Sequence, residues 1–164
     1  IVFFSAHGGG NLPMLTRVSE ELREEAGALF SVIHLWGLLG QLSPELRTEP
    51  GIKGGHGGDP VTSVVLYLKP DLVDMTKAKW VPLKTPLEGM TPIAHSTQQF
   101  NGINITIPLF GEEVSEIGVY GDPTKASKER GEKLFTTMID YLVEFINHFE
   151  SLKLPKIPKN HFKE

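Results

Sequence analysis

Four apolar residues, Ile1 to Phe4, open the chain, and so short and continuous a run predicts a strand buried on both faces. A glycine-rich stretch follows. Asn11 then reads as a helix N-cap, with Pro13 in the first turn, where its missing N–H costs nothing. Leu15, Val18, Leu22 and Ala26 recur at helical spacing, with Glu20, Glu21, Arg23 and Glu24 on the wet side, and Gly27 ends the helix. Leu29 to Trp36 predicts a second strand. Strand, helix and strand at this spacing make a βαβ unit, which implies a parallel sheet and a right-handed crossover.

From Gly37 to Asp59 the apolar period disappears and glycine and proline recur, which predicts a long loop. The segment TSVVLYL, Thr62 to Leu68, predicts a short helix ended by Pro70, with a strand as the competing reading of its β-branched residues. Residues Lys77 to Gly118 read as loop-rich with short strands, notably Ile103 to Leu109. The clearest element is the last one. Leu134, Met138, Leu142, Phe145 and Phe149 form an apolar stripe on a helix from about Ala126 to Leu152. Pro155 and Pro158 mark an extended tail from about Leu154. No internal repeat or linker divides the chain, so residues 1–164 read as a single domain.

Composition narrows the function classes. With 164 residues, 40% hydrophobic and 22% charged, the chain has the make-up of a globular domain with a real core. A formal net charge of -4 offers no electrostatic case for nucleic acid or an anionic membrane as partner. No apolar run reaches the roughly 18 residues that would span a bilayer. The absence of cysteine excludes disulfides, thiolate metal sites and cysteine nucleophiles, and fits a cytoplasmic protein. The chain begins at Ile1 already inside a core strand, with no basic segment of a signal peptide before it. That beginning reads as a fold whose N-terminal part lies elsewhere.

Two histidines sit among glycines. In AHGGGN, His7 falls at the C-terminal end of a predicted parallel strand, where open α/β sheets bind ligands. The glycines after it allow close backbone approach and offer free N–H groups. His7 can be a metal ligand, or HGGG can be an oxyanion loop. The oxyanion reading requires a G-x-S-x-G nucleophile, and no serine here has glycine two places before and two after it. A plain glycine-rich turn with a satisfied histidine is the structural alternative. In GGHGGDPVTS, His56 is followed three residues later by the carboxylate of Asp59. Alone that is a weak signal; a strand end and a loop that each carry such a cluster can converge on one sheet edge. A metal-activated water with a nearby proton carrier is the usual machinery for opening a C–N or C–O bond.

The other histidines read more plainly. His34 lies within an apolar strand pattern, as a hydrogen-bonded core or edge residue does. His95 is open, and His148 and His161 read as solvated. Glu112, Glu113 and Glu116 read as wet surface, because i, i+3 carboxylates would need a third ligand that the local sequence does not supply.

Three stretches together resemble the creatininase family. AHGGGN is similar to the family's N-G-H-G-G-N. GGHGGDPVTSVVLYLKPDLVDM is similar to its H-A-G-E-x-E-T-S, the following helix and P-x-L-V. GVYGDPTKASKERGEKL resembles the G-x-x-G-D-P-x-x-A-T-x-x-K-G that starts its last helix. Their order covers nearly the whole chain. The resemblance implies an α/β, creatininase-like parallel-sheet fold with flanking helices, here lacking its N-terminal part. It implies a metal-dependent hydrolase of C–N bonds in cyclic amides, formamides or related small molecules, assembled as a homo-oligomer, usually a hexamer.

By motif position His7 matches a metal ligand, His56 the histidine that faces substrate and handles a proton, and Asp59 an acidic partner where many relatives carry glutamate. The ion would be divalent, zinc or manganese. The chain also departs from the family. The E-x-H motif that supplies other ligands lies upstream of Ile1 in relatives and occurs nowhere here. Val61 replaces a glutamate, Ser5 and Ala6 replace N-G, and Gly9 stands where creatininase itself has a ligand glutamate. One imidazole does not hold a catalytic divalent ion, which takes three protein ligands. Two readings follow: an amidohydrolase completed by an upstream segment or companion chain, or an inactive creatininase-like scaffold or assembly subunit.

Overall fold

Val2–Ser5 forms strand β1 and Ser31–His34 forms strand β2, paired in parallel with Val2 opposite Ser31 and Ser5 opposite His34. Between them runs helix α1, Asn11–Ala26. The predicted βαβ unit is therefore present, and the Phe3 and Phe30 rings stack at 6.1 Å. The computed structural model describes residues 1–7, 11–44 and 54–154. Its contacts divide the chain into two units, Ile1–Leu42 with Thr137–Glu164, and Ser43–Thr136. Gly8, Gly9 and Gly10, the middle of the predicted loop, and the tail with Pro155, Pro158 and His161 lie outside the described residues.

In the first unit several expectations are corrected. β1 is not buried on both faces, since Phe4 is 47% exposed. The second strand stops at His34, because Leu35–Leu42 turns into helix α2 in place of the loop expected there. LWGLLGQL has strong helix formers and an apolar content that seats Leu39 at 0% exposure. The buried face of α1 is also rotated. Ser19 is buried and Val18 exposed, because Leu15, Ser19 and Leu22 share a face at i, i+4 and i+7. Burying Ser19 is tolerated because its hydroxyl donates to the Leu15 carbonyl at 2.7 Å.

The second unit holds helix α3, Val61–Leu68, as the sequence predicts, followed by two 3-10 turns, Pro70–Leu72 and Met75–Lys77. Strands β3 (Thr91–Ala94), β4 (Thr97–Phe100) and β5 (Ile103–Thr106) make an antiparallel sheet in that order. Only β5 stood out in the hydrophobic pattern. The hairpin between β4 and β5 turns on Asn101 and Gly102, both at positive φ, a pairing that signals a two-residue turn. A four-residue helix α4, Gly111–Val114, follows. The last helix, α5, runs Lys128–Ser151, and the division between the units falls within it. Its predicted stripe is real: Leu134, Met138 and Leu142 are all under 8% exposed, and the Phe145 and Phe149 rings meet at 5.5 Å.

In the second unit α5 starts close against α3. A Cβ on Gly131 would collide with the Ser63 carbonyl oxygen, so glycine at this position is what permits the approach. Tyr67 and Phe135 continue the contact one turn on, with rings 6.0 Å apart.

Candidate active site

His7 closes β1 in the first unit and is exposed. Its backbone is held by the buried Ser5, whose hydroxyl donates to the His7 carbonyl at 3.0 Å and accepts from the His7 N–H at 3.2 Å. Trp36 donates its indole N–H to the neighbouring Ala6 carbonyl at 2.7 Å. His34, beside Ser5 in the register, departs from the sequence expectation: its Nε2 is buried without a hydrogen-bond partner among the described residues. Burial, and secondarily the nearby His7, hold its pKa below the ordinary histidine value.

His56 lies in the second unit, in the turn that leads into α3, and it too is exposed. Its Nδ1 is 2.8 Å from the Gly118 carbonyl. A carbonyl only accepts, so Nδ1 carries the proton and neutral His56 keeps its lone pair on Nε2. The His56 carbonyl accepts from the N–H groups of Tyr120 (2.8 Å) and Gly121 (3.3 Å). Gly57 is at φ +70°, and a Cβ there would come within 2.9 Å of the Val119 side chain. The glycines beside His56 thus serve the close seating of this turn on residues 118–121.

Asp59 is on the same turn but fully buried. Its Oδ1 accepts from the Ser63 hydroxyl at 2.5 Å, and its Oδ2 forms an ion pair with Arg130 Nε at 2.6 Å. Ser63 Oγ in turn accepts from the Ser127 N–H at 3.1 Å, and the Asp59 N–H donates to the Asp122 carbonyl at 3.1 Å. Asp122 caps its own turn by accepting from the Thr124 N–H and hydroxyl. Asp59 therefore fastens the His56 turn to the G-D-P segment through its backbone N–H and to the first turn of α5 through its carboxylate. Ser63 and Arg130 did not emerge from sequence reasoning; the faint signal was an arginine beside Gly131 in an otherwise solvated KERGEK.

His95, left open by the sequence, stands in the turn between β3 and β4, with its ring 5.9 Å from that of Tyr120; the His56 ring is 5.5 Å from the same tyrosine. Glu112, Glu113, Glu116 and His148 are exposed, as expected, and Glu113 caps the Phe110 N–H at 2.6 Å. A cavity of about 210 Å³ in the second unit is lined by Val73, Met75, Ala78, Ile117 and Val119 among others. It includes none of the candidate histidines; Asp74, Lys77 and Lys79 are the charged residues of its lining. Among the described residues no group of three or more His, Asp or Glu side chains is arranged to hold a metal. His7 fits as one imidazole donor, and the described residues do not complete a ligand set around it.

Comparison with known proteins is consistent with this layout. Residues 1–146 match the family described as Creatininase: Creatinine amidohydrolase. A mycofactocin precursor peptide peptidase from Mycobacterium tuberculosis is 32% identical over 141 residues, which is 85% of this chain and 45% of that protein. The chain thus spans about half the length of the curated relatives it matches. A putative creatinine amidohydrolase from Bacteroides fragilis superposes with a TM-score of 0.68 at 24% identity, over 94% of this chain and 55% of that one. A creatininase structure in a Mn form gives 0.63 at 20% identity, over 90% and 55%. At such identities these structures speak for the fold, α/β and creatininase-like. No described helix is long and apolar enough to cross a membrane. With its three motifs in order and the family match running from residue 1 to 146, the chain belongs to the creatininase family.

Proposed function

We propose that this chain carries the proton-handling half of a metal-dependent amidohydrolase that opens a C–N amide bond. The observation that carries the reading is the Nδ1–H of His56 held on the Gly118 carbonyl, which leaves Nε2 to take and return a proton. Asp59 contributes as an acidic partner by bracing the turn, its carboxylate already engaged by Ser63 and Arg130. His7 supplies one ligand, and the other ligands come from outside the described residues. A divalent ion such as manganese or zinc, when bound, contributes Lewis acidity and an acidified water. Water adds to the amide carbonyl carbon as it gives a proton to His56 Nε2, and Nε2 passes that proton to the leaving nitrogen as the C–N bond breaks.

The substrate is a small molecule with an amide bond. The mycobacterial relative is named for a precursor peptide, which favours a peptide amide beside the cyclic amides of creatininase. Val61, which leaves the family's second glutamate position apolar, favours the alternative reading of a non-catalytic scaffold. In the metal-loaded full protein, His56→Ala is expected to keep its metal and lose about 100-fold or more in turnover. Unchanged turnover on an amide that the parent hydrolyses would sink the role given to His56.

We further propose that the chain works in association, with copies of itself or with a companion chain. β5 exposes Ile103 (65%) and Ile105, and Phe110 just beyond it is 72% exposed; exposed apolar residues along an edge strand favour partners. Light scattering is expected to show a species larger than 18.1 kDa, and a well-folded, monodisperse monomer would refute this.

A further inference from the structure

Three loops of the second unit meet at one phenol ring. The His56 turn approaches Tyr120 with ring centroids 5.5 Å apart and planes tilted by 45°. The β3–β4 turn brings His95 to the same ring at 5.9 Å and 39°. Both are tilted contacts at centroid distances where aromatic rings pair and restrict one another's orientation. Each loop is separately anchored. Tyr120 donates its N–H to the His56 carbonyl at 2.8 Å, and the His95 carbonyl accepts from the Leu109 N–H at 2.7 Å. The phenol oxygen lies against Gly111, since a Cβ there would be 3.2 Å from it. Burial, and then Glu112, keep the phenol protonated beyond its ordinary range. No sequence motif assigned either Tyr120 or His95.

We infer that Tyr120 is a positioning residue for His56, and that His95 is a second substrate-facing imidazole of the same site. The inference rests on the amidohydrolase reading and extends it to substrate class. A substrate that meets both imidazoles carries, besides its scissile amide, a second polar group such as a carbonyl or carboxylate. A compact single-amide ring engages His56 alone. An amide with an extended arm, as in a short peptide, reaches His95 as well.

The test has two arms, both on the full protein loaded with zinc. In the first, NMR follows the imidazole resonances of His56 and His95. Tyr120→Leu is expected to move both sets, and Tyr120→Phe, which keeps the ring, to restore them. Should Tyr120→Leu not fold, His95→Leu is expected to move the Tyr120 ring resonances and Tyr120→Phe to leave both imidazoles in place. Movement of neither imidazole, or of His95 alone, overturns the inference.

In the second arm, hydrolysis of creatinine and of N-acetyl dipeptides with free or amidated C termini is compared. Tyr120→Leu is expected to lower kcat about 10-fold or more through misorientation of His56, with rescue by Tyr120→Phe. His95→Leu is expected to raise KM for the dipeptides about 5-fold, the worth of one neutral hydrogen bond, and to raise it less for creatinine. Normal kcat and KM in both leucine variants overturn the inference. A parent that hydrolyses none of these probes counts against the amidohydrolase reading instead, and the NMR arm then decides the inference alone.

Discussion

His7 and His56 occupy near-identical words in the sequence, a histidine followed by glycines, yet the two regions are built differently. His7 is an exposed strand end whose backbone is held by Ser5, with Trp36 bonded next to it. His56 has its ring nitrogen fixed by Gly118, its carbonyl shared by two N–H groups, and its turn pinned by the buried Asp59. Under the proposed roles His7 is a metal ligand, which gains its final orientation from the ion and the other ligands, and His56 is a proton carrier. A proton carrier has to be oriented by the protein itself, and that requires hydrogen bonds around it. Glycine marks both regions, but at Gly57 it serves close packing against Val119.

The largest test of the contrast is the brace. Removing Arg130 leaves the fully buried Asp59 carboxylate without its ion-pair partner, and breaking such a pair is costly. Arg130→Ala is expected to destabilise the protein by about 3 kcal/mol, read from urea unfolding with unchanged m-value. A loss below about 1 kcal/mol, the worth of a surface pair, would mean that the His56 turn stands without Asp59.

His7→Ala makes the opposite test. Stoichiometric zinc or manganese, measured by elemental analysis, is expected to disappear, while unfolding stays within about 0.5 kcal/mol of the parent, as for an exposed position. Metal retained in this variant would remove His7 from the ligand set, and a large stability loss would make the two regions alike.

The smallest effect belongs to a carboxylate that braces nothing buried. Asp74 caps the Thr76 N–H and hydroxyl and pairs with Lys77 at 3.0 Å. The Thr76 hydroxyl, then Lys77, hold its pKa below the ordinary aspartate value. Because the folded pKa is the lower one, its contribution is fully present above the unfolded pKa and is lost as pH falls through the folded pKa. Asp74→Asn is expected to lower stability slightly at pH 7 and to flatten the acid end of the stability–pH curve, with the difference from the parent vanishing at low pH. A change at neutral pH as large as that of Arg130→Ala would erase the distinction between surface and buried carboxylates.

Sequence alone determined much of this protein. The stripe from Leu134 to Phe149, the TSVVLYL helix and the βαβ opening were legible because apolar periodicity is a local property that burial then obeys. The family, and with it the proposal for His7, His56 and Asp59, was legible because motif residues keep their order along the chain. Helix α2 was hidden by its glycines, and β3 and β4 by Pro92 and paired glutamines that carry little alternation. Only tertiary structure decided what the polar residues do. Arg130 lies 71 positions from Asp59 and Tyr120 lies 64 from His56, and no local pattern encodes such pairings. They exist because burying a carboxylate or fixing an imidazole demands a partner, and the fold alone determines which residue is within reach.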